Sequence, residues 1–186
     1  MAALLRDMVG THPARAVLVA SNDPSAKGLE LAASAGVPTR ALDHRAYANR
    51  AAFEDDLAAA LHASQPDIIA LAGFMRILSP DFVGRFAGRI VNIHPSLLPK
   101  YPGLHTHARA IAAGDKMAGC TVHQVIAELD AGPIMGQAQV EIAPTDTPET
   151  LAARVLAAEH RLYPAVLRAY AGGDMRPIYL GADSAS

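Results

Sequence analysis

Cysteine is nearly absent from this chain of 186 residues, in which Cys120 is the single example. One thiol excludes an internal disulfide and a metal site built from several cysteines. Sparse cysteine is typical of proteins in reducing compartments, so we predict a cytoplasmic location.

An excess of charge of either sign is also missing. The 16 Lys and Arg residues are offset by 18 Asp and Glu residues, which leaves a formal net charge of -2. Proteins that bind nucleic acid usually carry a basic patch or run, and the sequence has no such run. We therefore expect no nucleic-acid partner.

Long hydrophobic runs are lacking as well. No apolar segment approaches the roughly 20 residues that a membrane-spanning helix needs, so we expect no membrane partner. Residues 1–8 lack the basic start, long apolar core and cleavage site of a signal peptide, and a helix is the better interpretation. A chain of 186 residues is long enough to form one domain with its own core.

Strand-like and helix-like segments alternate along the first half of the chain. Apolar runs at residues 16–20 and 67–72 predict strands that are buried on both faces of a sheet. Between them we predict a helix at 25–35, a short strand at 39–42 and an amphipathic helix at 49–64. This order predicts an α/β fold with a single doubly wound, mostly parallel sheet.

The second half of the chain predicts a ribbon and a long helix. Strands at residues 121–126 and 134–142 flank a turn, a pattern that favours an antiparallel ribbon at the edge of the sheet. Thr147 is a typical N-cap for a helix that runs to about residue 170. We predict one domain over residues 1–172 and a loosely ordered tail over residues 173–186.

The most informative stretch is residues 92–107, which read Asn-Ile-His-Pro-Ser-Leu-Leu-Pro-Lys-Tyr-Pro-Gly-Leu-His-Thr-His. Side chains alternate along a strand, so Asn92 and His94 point to the same face, about 7 Å apart. Pro95 disfavours a helix at His94, so the strand is expected to end there. An amide donor and a titratable imidazole then lie at the carboxyl end of a strand, where open α/β sheets bind their ligands.

This stretch resembles the signature of the folate-dependent formyltransferases, whose fold is Rossmann-like. Residues 100–107 resemble the branch whose acceptor is phosphoribosylglycinamide, whereas enzymes that formylate methionyl-tRNA or hydrolyse formyltetrahydrofolate diverge after the Leu-Pro. The resemblance implies transfer of a formyl group from 10-formyltetrahydrofolate, the co-substrate, to the amine of phosphoribosylglycinamide in purine biosynthesis. The alternatives are another folate-dependent formyltransferase, a formyltetrahydrofolate hydrolase, or an inactive remnant that only binds folate.

Three polar residues suit the chemistry of acyl transfer. Asn92 can donate a hydrogen bond to the oxyanion of a tetrahedral intermediate, and a protonated His94 can donate to the same oxygen and then to the leaving amine. Asp130 lies in a Leu-Asp-Ala-Gly-Pro turn, which by itself indicates only turn chemistry. The resemblance makes Asp130 the catalytic carboxylate that favours the charged imidazole, and it implies direct transfer without a formyl-enzyme.

The resemblance also implies two sets of binding residues. His123 and Glu159 would bind the acceptor together with Asn92, although a buried sheet histidine and an exposed helix residue are their ordinary interpretations. His105 and His107 could join His94 and His123 in a metal site, but the spacing is poor for paired ligands, so we expect no metal. The residues implied in folate binding are Arg50, Met75, Arg76, Ile77, Leu78, Ile126, Ala127, Glu128, Leu129 and Asp130.

The chain departs from the resembled family at its start. The family begins with a strand and a Gly-Ser-Asn loop for the ribose phosphate, whereas residues 1–5 align best with the helix that follows that loop. We expect a domain that is truncated at its N-terminus, either because the true start lies upstream or because the loop has been lost. Poor solubility or weak activity is the expected consequence, and a monomer or homodimer is the expected assembly.

Overall fold

The computed structural model describes residues 1–182, and helices alternate with strands over most of this range. The expected α/β fold is confirmed. No helix in the described part of the chain combines the length and the apolar character that crossing a bilayer requires. The helices are α1 (Ala2–Asp7), α2 (Lys27–Ser34), α3 (Arg50–Ser64), α4 (Pro80–Arg85), α5 (Thr106–Ala112) and α6 (Pro148–Ala171), with a short 3-10 helix at His44–Ala46.

The strands form two sheets, so the prediction of a single sheet is wrong, whereas three of the five strand pairs within residues 1–182 are parallel, in agreement with the expected mostly parallel arrangement. β1 and β2 pair with each other in parallel, and the other five strands follow the order β3-β4-β5-β6-β7. Within this second sheet the outer pairs are parallel, whereas β4 with β5 and β5 with β6 are antiparallel. The strands are β1 (Val19–Ser21), β2 (Thr39–Ala41), β3 (Ile69–Leu71), β4 (Ile90–His94), β5 (Met117–Gln124), β6 (Ile134–Glu141) and β7 (Ile178–Leu180).

The sequence had suggested that the antiparallel hairpin of β5 and β6 forms an edge of the sheet. The hairpin instead lies inside the sheet. The short strand β7, at Ile178–Leu180, pairs in parallel with β6 and forms the edge. The prediction of a loosely ordered tail is therefore wrong for these three residues. The last part of that tail, residues 183–186, lies outside the described residues.

Helix starts follow the capping signals in the sequence. Thr147 accepts a hydrogen bond from the Thr150 backbone N–H, and the Thr150 hydroxyl accepts one from the Thr147 N–H, which completes a capping box. Asn49 and Ser79 cap α3 and α4 in the same way, by accepting from the backbone three residues further on. These caps fix the start of the helix that precedes β3 and of the helix that follows it.

Strands β1 and β3 each have one paired side and share a cavity. Within residues 1–182, β1 pairs only with β2, and β3 pairs only with β4. Residues of both strands line an apolar cavity of about 860 Å³ between the two sheets. Unpaired strands are common sites of self-association. The expected poor solubility agrees with this feature and stays a prediction.

The hydroxyl of Tyr163 joins α6 to the strands that carry the site. It donates to the carbonyl oxygens of Leu71 in β3 and Val91 in β4, at 3.0 and 3.1 Å. The Tyr163 side chain is buried, and burial raises the pKa of its phenol. We expect Tyr163→Phe to lower the free energy of unfolding by about 1–3 kcal/mol, because two buried acceptors lose their donor. Urea denaturation measures this change.

Tyr179→Phe is the matched control for that prediction. Tyr179 lies in β7 with 67% of its surface exposed, so loss of its hydroxyl should change stability by less than about 0.5 kcal/mol. Equal and small changes in the two variants would show that the buried hydroxyl contributes nothing to joining helix and sheet.

Candidate active site

The two polar residues of β4 meet a histidine of the neighbouring strand. Asn92 is half-buried and His94 is the last residue of β4, as the sequence predicted. The antiparallel register sets Asn92 opposite His123 and His94 opposite Thr121. Directly opposed residues have Cβ atoms about 5 Å apart, so β4 and β5 together hold both histidines beside the amide.

His94 is enclosed by hydrogen-bond acceptors on both sides of its ring. Its Nε2 lies 2.9 Å from the Tyr101 carbonyl oxygen, and its Nδ1 lies 3.3 Å from Oδ2 of Asp130. A carbonyl oxygen can only accept, and so can an ionised carboxylate. The doubly protonated ring, with an N–H on each nitrogen, satisfies both partners at once. The surroundings therefore match a positively charged His94.

Asp130 lies between the two histidines in a conformation that few residue types adopt. Its backbone is left-handed, with φ of 52°, a region in which Asp and Asn are enriched. Its Oδ2 accepts the Gly103 N–H at 2.8 Å, and its Oδ1 lies 3.6 Å from Nε2 of His123. The carboxylate that the sequence could interpret only as a turn residue thus contacts His94, and only 8% of its side chain is exposed.

His123 is buried and held in one orientation by the backbone. Its Nδ1 donates to the Gln124 carbonyl oxygen at 3.0 Å, and its Nε2 lies 3.2 Å from Nδ2 of Asn92. The pKa of the His123 imidazole is lowered, chiefly by burial and to a smaller extent by the charge of His94. The Gln124 carbonyl oxygen and the Asp130 carboxylate act in the opposite direction without reversing this shift. The net lowering of its pKa favours the uncharged form of His123.

The segment after β4 is tied down by hydroxyl groups. Ser96 donates to the Lys100 carbonyl oxygen at 2.6 Å, and Thr121 donates to the Ser96 carbonyl oxygen at 2.7 Å. These bonds hold the backbone that presents the Tyr101 carbonyl to His94 and the Gly103 N–H to Asp130. Sequence reasoning missed both backbone groups, because every residue carries them and no side-chain signal marks them.

His105 and His107 differ from the roles that the sequence suggested. The sequence favours capping of the following helix over metal binding for this His-Thr-His segment. His105 is the N-cap of α5 but makes no capping bond with its side chain, so that prediction is wrong. Nε2 of His107 is buried without a hydrogen-bond partner in residues 1–182, and burial lowers the pKa of this ring. Among the described residues, no three His, Cys, Asp or Glu side chains are grouped to hold a metal ion. The absence of a catalytic metal stays a prediction.

Two loops with exposed apolar side chains follow β3 and β5, the two strands that neighbour β4. The 73–78 loop follows β3, and the 126–130 loop connects β5 to the Asp130 turn. Leu78 and Val125, at the ends of these loops, pack against the same core cluster around Phe82 and Phe86. Each loop also carries large apolar side chains that are exposed. Those exposed on the two loops are Met75, Ile77, Ile126 and Leu129.

Helix α3 holds the 73–78 loop at two points. The Arg76 guanidinium lies over the Phe53 ring, 5.9 Å from its centroid, and both oxygens of the buried Glu54 carboxylate accept from Ser79. Arg50 lies one turn before Glu54 with half of its side chain exposed. The two cationic side chains predicted to bind folate are thus both associated with α3, Arg50 as one of its residues and Arg76 through its packing on Phe53.

Glu159 and Cys120 lie apart from the polar cluster. Burial raises the pKa of the Glu159 carboxyl, and the charge of the Met1 amino group lowers it. Glu159 is thus beside the chain start and not between the histidines. Cys120 is fully buried, and burial raises the pKa of its thiol to about 12, which agrees with a structural role.

Gly132 controls where the Asp130 turn can lie. A Cβ at this position would be 1.8 Å from the Gln124 carbonyl oxygen, the same oxygen that accepts from His123. We expect Gly132→Ala to shift the turn, to lower the free energy of unfolding by about 1–3 kcal/mol and to reduce turnover at least about tenfold. Thermal unfolding and steady-state kinetics measure the two effects.

The neighbouring Ala131 provides the control for this substitution. Ala131 is exposed, so Ala131→Gly alters the same turn without a clash and should lower stability by no more than about 1 kcal/mol. A Gly132→Ala variant that kept wild-type turnover would show that the position of the turn does not limit the reaction.

Comparison with known proteins identifies the family of this site. Residues 2–167 match the family described as formyl transferase. Phosphoribosylglycinamide formyltransferase of Escherichia coli is 48% identical over 158 residues, which are 85% of this chain and 74% of that protein. The trifunctional purine biosynthetic protein adenosine-3 of Drosophila melanogaster is 47% identical, but the chain spans only 12% of its length.

Solved structures agree with the sequence comparison. Phosphoribosylglycinamide formyltransferase from Brucella melitensis superposes with a TM-score of 0.86 at 52% identity, covering 92% of this chain and 88% of that one. The protein of the same name from Coxiella burnetii gives a TM-score of 0.88 at 41% identity, covering 97% of this chain and 92% of that one. By sequence and by structure, the chain belongs to the formyl transferase family.

Proposed function

We propose that this chain transfers the formyl group of 10-formyltetrahydrofolate to the amine of phosphoribosylglycinamide, a step of purine biosynthesis. The observation that carries the proposal is the contact of His94 with Asp130 beside Asn92 at the end of β4. The names of the relatives with which the chain shares 48% and 52% identity support this choice of acceptor.

The polar cluster suits a direct transfer. The acceptor amine attacks the formyl carbon, a new C–N bond forms, and the carbonyl oxygen becomes an oxyanion. An N–H of Asn92 can donate to this oxyanion, and the positive charge of His94 stabilises it. The bond from the formyl carbon to N10 of the folate then breaks as N10 receives a proton.

Both N–H groups of His94 are engaged with protein acceptors, which changes the expected role of this residue. The sequence suggested a direct hydrogen bond from His94 to the oxyanion. In the observed geometry His94 acts first through its charge, and donation to N10 requires the ring to exchange its bond with the Tyr101 carbonyl oxygen. Asp130 keeps the charged ring in place and is the acceptor for the proton that the attacking amine loses, through one water molecule.

The two apolar loops supply a surface for the flat pteridine ring of the folate. We assign this surface to the 73–78 and 126–130 loops because they carry exposed apolar side chains and follow the two strands that neighbour β4. Arg50 and Arg76 suit the carboxylates of the glutamate tail, since guanidinium groups pair well with carboxylates. Glu159 is proposed to contact the sugar of the acceptor, and this role rests on the family resemblance alone. A cytoplasmic monomer or homodimer without a metal completes the proposal.

A comparison of acceptors tests the proposal. The protein is incubated with 10-formyltetrahydrofolate and, in separate reactions, with phosphoribosylglycinamide, with methionyl-tRNA or with no acceptor, and the products are identified by mass spectrometry. Formyl-phosphoribosylglycinamide should form faster than formate or formylmethionyl-tRNA. Formate as the main product in every reaction would make the protein a hydrolase and overturn the proposed acceptor.

A further inference from the structure

A chain of hydrogen-bonding groups crosses from β5 to β4 behind the polar cluster. It starts at the Gln124 carbonyl oxygen, continues through Nδ1 and Nε2 of His123, and ends at Nδ2 of Asn92. The two distances are 3.0 and 3.2 Å, and His123 is 2% exposed. The antiparallel register, which sets Asn92 opposite His123, fixes this arrangement.

The proton positions along this series of hydrogen-bonding groups follow from the chemistry of each group. A carbonyl oxygen can only accept, so the Gln124 carbonyl requires a proton on Nδ1 of His123. In a neutral ring Nε2 then carries a lone pair and accepts. Nε2 faces the amide of Asn92, so the atom that meets it must be the NH₂ nitrogen and not the oxygen.

We infer that His123 is a positioning residue, which orients the Asn92 amide so that one N–H binds His123 and the second N–H faces the developing oxyanion. The inference rests on the proposed formyl transfer. An amide can rotate by half a turn at little energetic difference unless its partners distinguish oxygen from nitrogen. Without the acceptor on His123, the Asn92 oxygen could face the reacting carbonyl and repel the oxyanion. The role assigned to His123 is therefore in turnover and not in acceptor affinity.

Asp130 offers a competing partner for His123, and the distances disfavour it. Oδ1 of Asp130 lies 3.6 Å from Nε2, which is longer than the 3.2 Å to Asn92 and longer than a hydrogen bond. An ion pair with Asp130 would also need a protonated His123. The charged groups that face this ring are Asp130 from the turn and His94 from β4, and burial together with His94 favours the neutral form.

Two substitutions distinguish the contribution of the Nε2 acceptor on His123 from that of the volume of its ring. His123→Phe keeps a ring but removes the acceptor, and it should lower kcat by about 10- to 100-fold, part of the 10²- to 10³-fold worth of an oxyanion donor. KM for both substrates should stay within about threefold. His123→Gln restores an oxygen acceptor near the position of Nε2. It should recover at least about half of the fall in log kcat that His123→Phe causes.

A double-mutant cycle identifies the residue through which His123 acts. In an Asn92→Ala background, His123→Phe should change kcat by less than about twofold, whereas in an Asp130→Asn background it should keep its full effect. The inference would be overturned if His123→Phe kept its full effect on kcat in the Asn92→Ala background. It would also be overturned if that effect disappeared in the Asp130→Asn background. Circular dichroism and thermal unfolding of each variant identify any loss that comes from misfolding.

Nitrogen-15 NMR of the histidine rings tests the proton positions without any turnover. The His123 signal, assigned by its absence from the His123→Gln spectrum, should show a protonated Nδ1 and an unprotonated Nε2 at pH 7. A protonated Nε2 would overturn the inference even in an active enzyme. A wild-type protein with this tautomer but no formyl transfer would instead refute the proposed function.

Discussion

Replacing Asp130 with asparagine should lower kcat by about 10²- to 10⁴-fold, the range typical of a lost catalytic acid or base. The substitution removes the negative charge that lies 3.3 Å from Nδ1 of His94. His94 then loses the partner that matches its second N–H, and the attacking amine loses the acceptor for its proton. KM for the folate should change only a few-fold, because the exposed apolar surface of the two loops is retained.

Asparagine is chosen because it preserves the structure of the turn. It tolerates the left-handed backbone at this position, with φ of 52°, and its amide oxygen can still accept from the Gly103 N–H. Asp81→Asn removes a carboxylate from the exposed surface of α4, where 77% of the side chain is accessible, and should leave kcat unchanged. Equal rates for Asp130→Asn and wild type in stopped-flow assays would remove Asp130 from the chemistry.

Replacing His94 with alanine should lower kcat by a similar 10²- to 10⁴-fold. The variant removes a side chain that meets both the Asp130 carboxylate and the Tyr101 carbonyl oxygen. It also removes one donor from each acceptor, although the Asp130 carboxylate keeps the Gly103 N–H and the Tyr101 carbonyl oxygen keeps a longer bond at 3.3 Å from the Ser96 hydroxyl. We therefore expect the free energy of unfolding to fall by about 1–3 kcal/mol in total. Chemical denaturation is therefore measured together with single-turnover kinetics.

A second variant at the same position separates charge from hydrogen bonding. His94→Gln carries an N–H donor that can reach one of the two acceptors, but it never becomes positively charged. We expect it to recover part of the lost stability and little of the lost turnover. His160→Ala, an exposed histidine on α6, should match the wild type in both measurements. Full turnover in His94→Gln would show that the charge of His94 is not required.

The parts of the site that share one strand could be predicted from the sequence. Strand alternation placed Asn92 and His94 on one face, and Pro95 marked the end of β4 correctly, because both signals are local. The signal for the N-cap at Thr147 was equally local. Asp130 was different, since its turn alone could not show that it contacts His94, which lies 36 positions earlier in the chain.

Features that depend on backbone groups or on strand order could not be predicted in this way. The acceptor of His94 is the carbonyl oxygen of Tyr101, and that of His123 is the carbonyl oxygen of Gln124. Neither depends on the side chain at that position. The strand order was missed because a hairpin such as β5 and β6 has the same sequence pattern inside a sheet and at its edge. The short strand β7 carries too few residues for a periodic signal.

The most direct test of the account is formyl transfer from 10-formyltetrahydrofolate to phosphoribosylglycinamide by the wild-type chain, with His94→Ala measured in parallel. Folate binding to both proteins is followed by calorimetry in the same buffer. The account predicts that both proteins bind the folate and that turnover is lost in the variant. Folate binding without turnover by the wild type, or equal turnover by the two proteins, would contradict it.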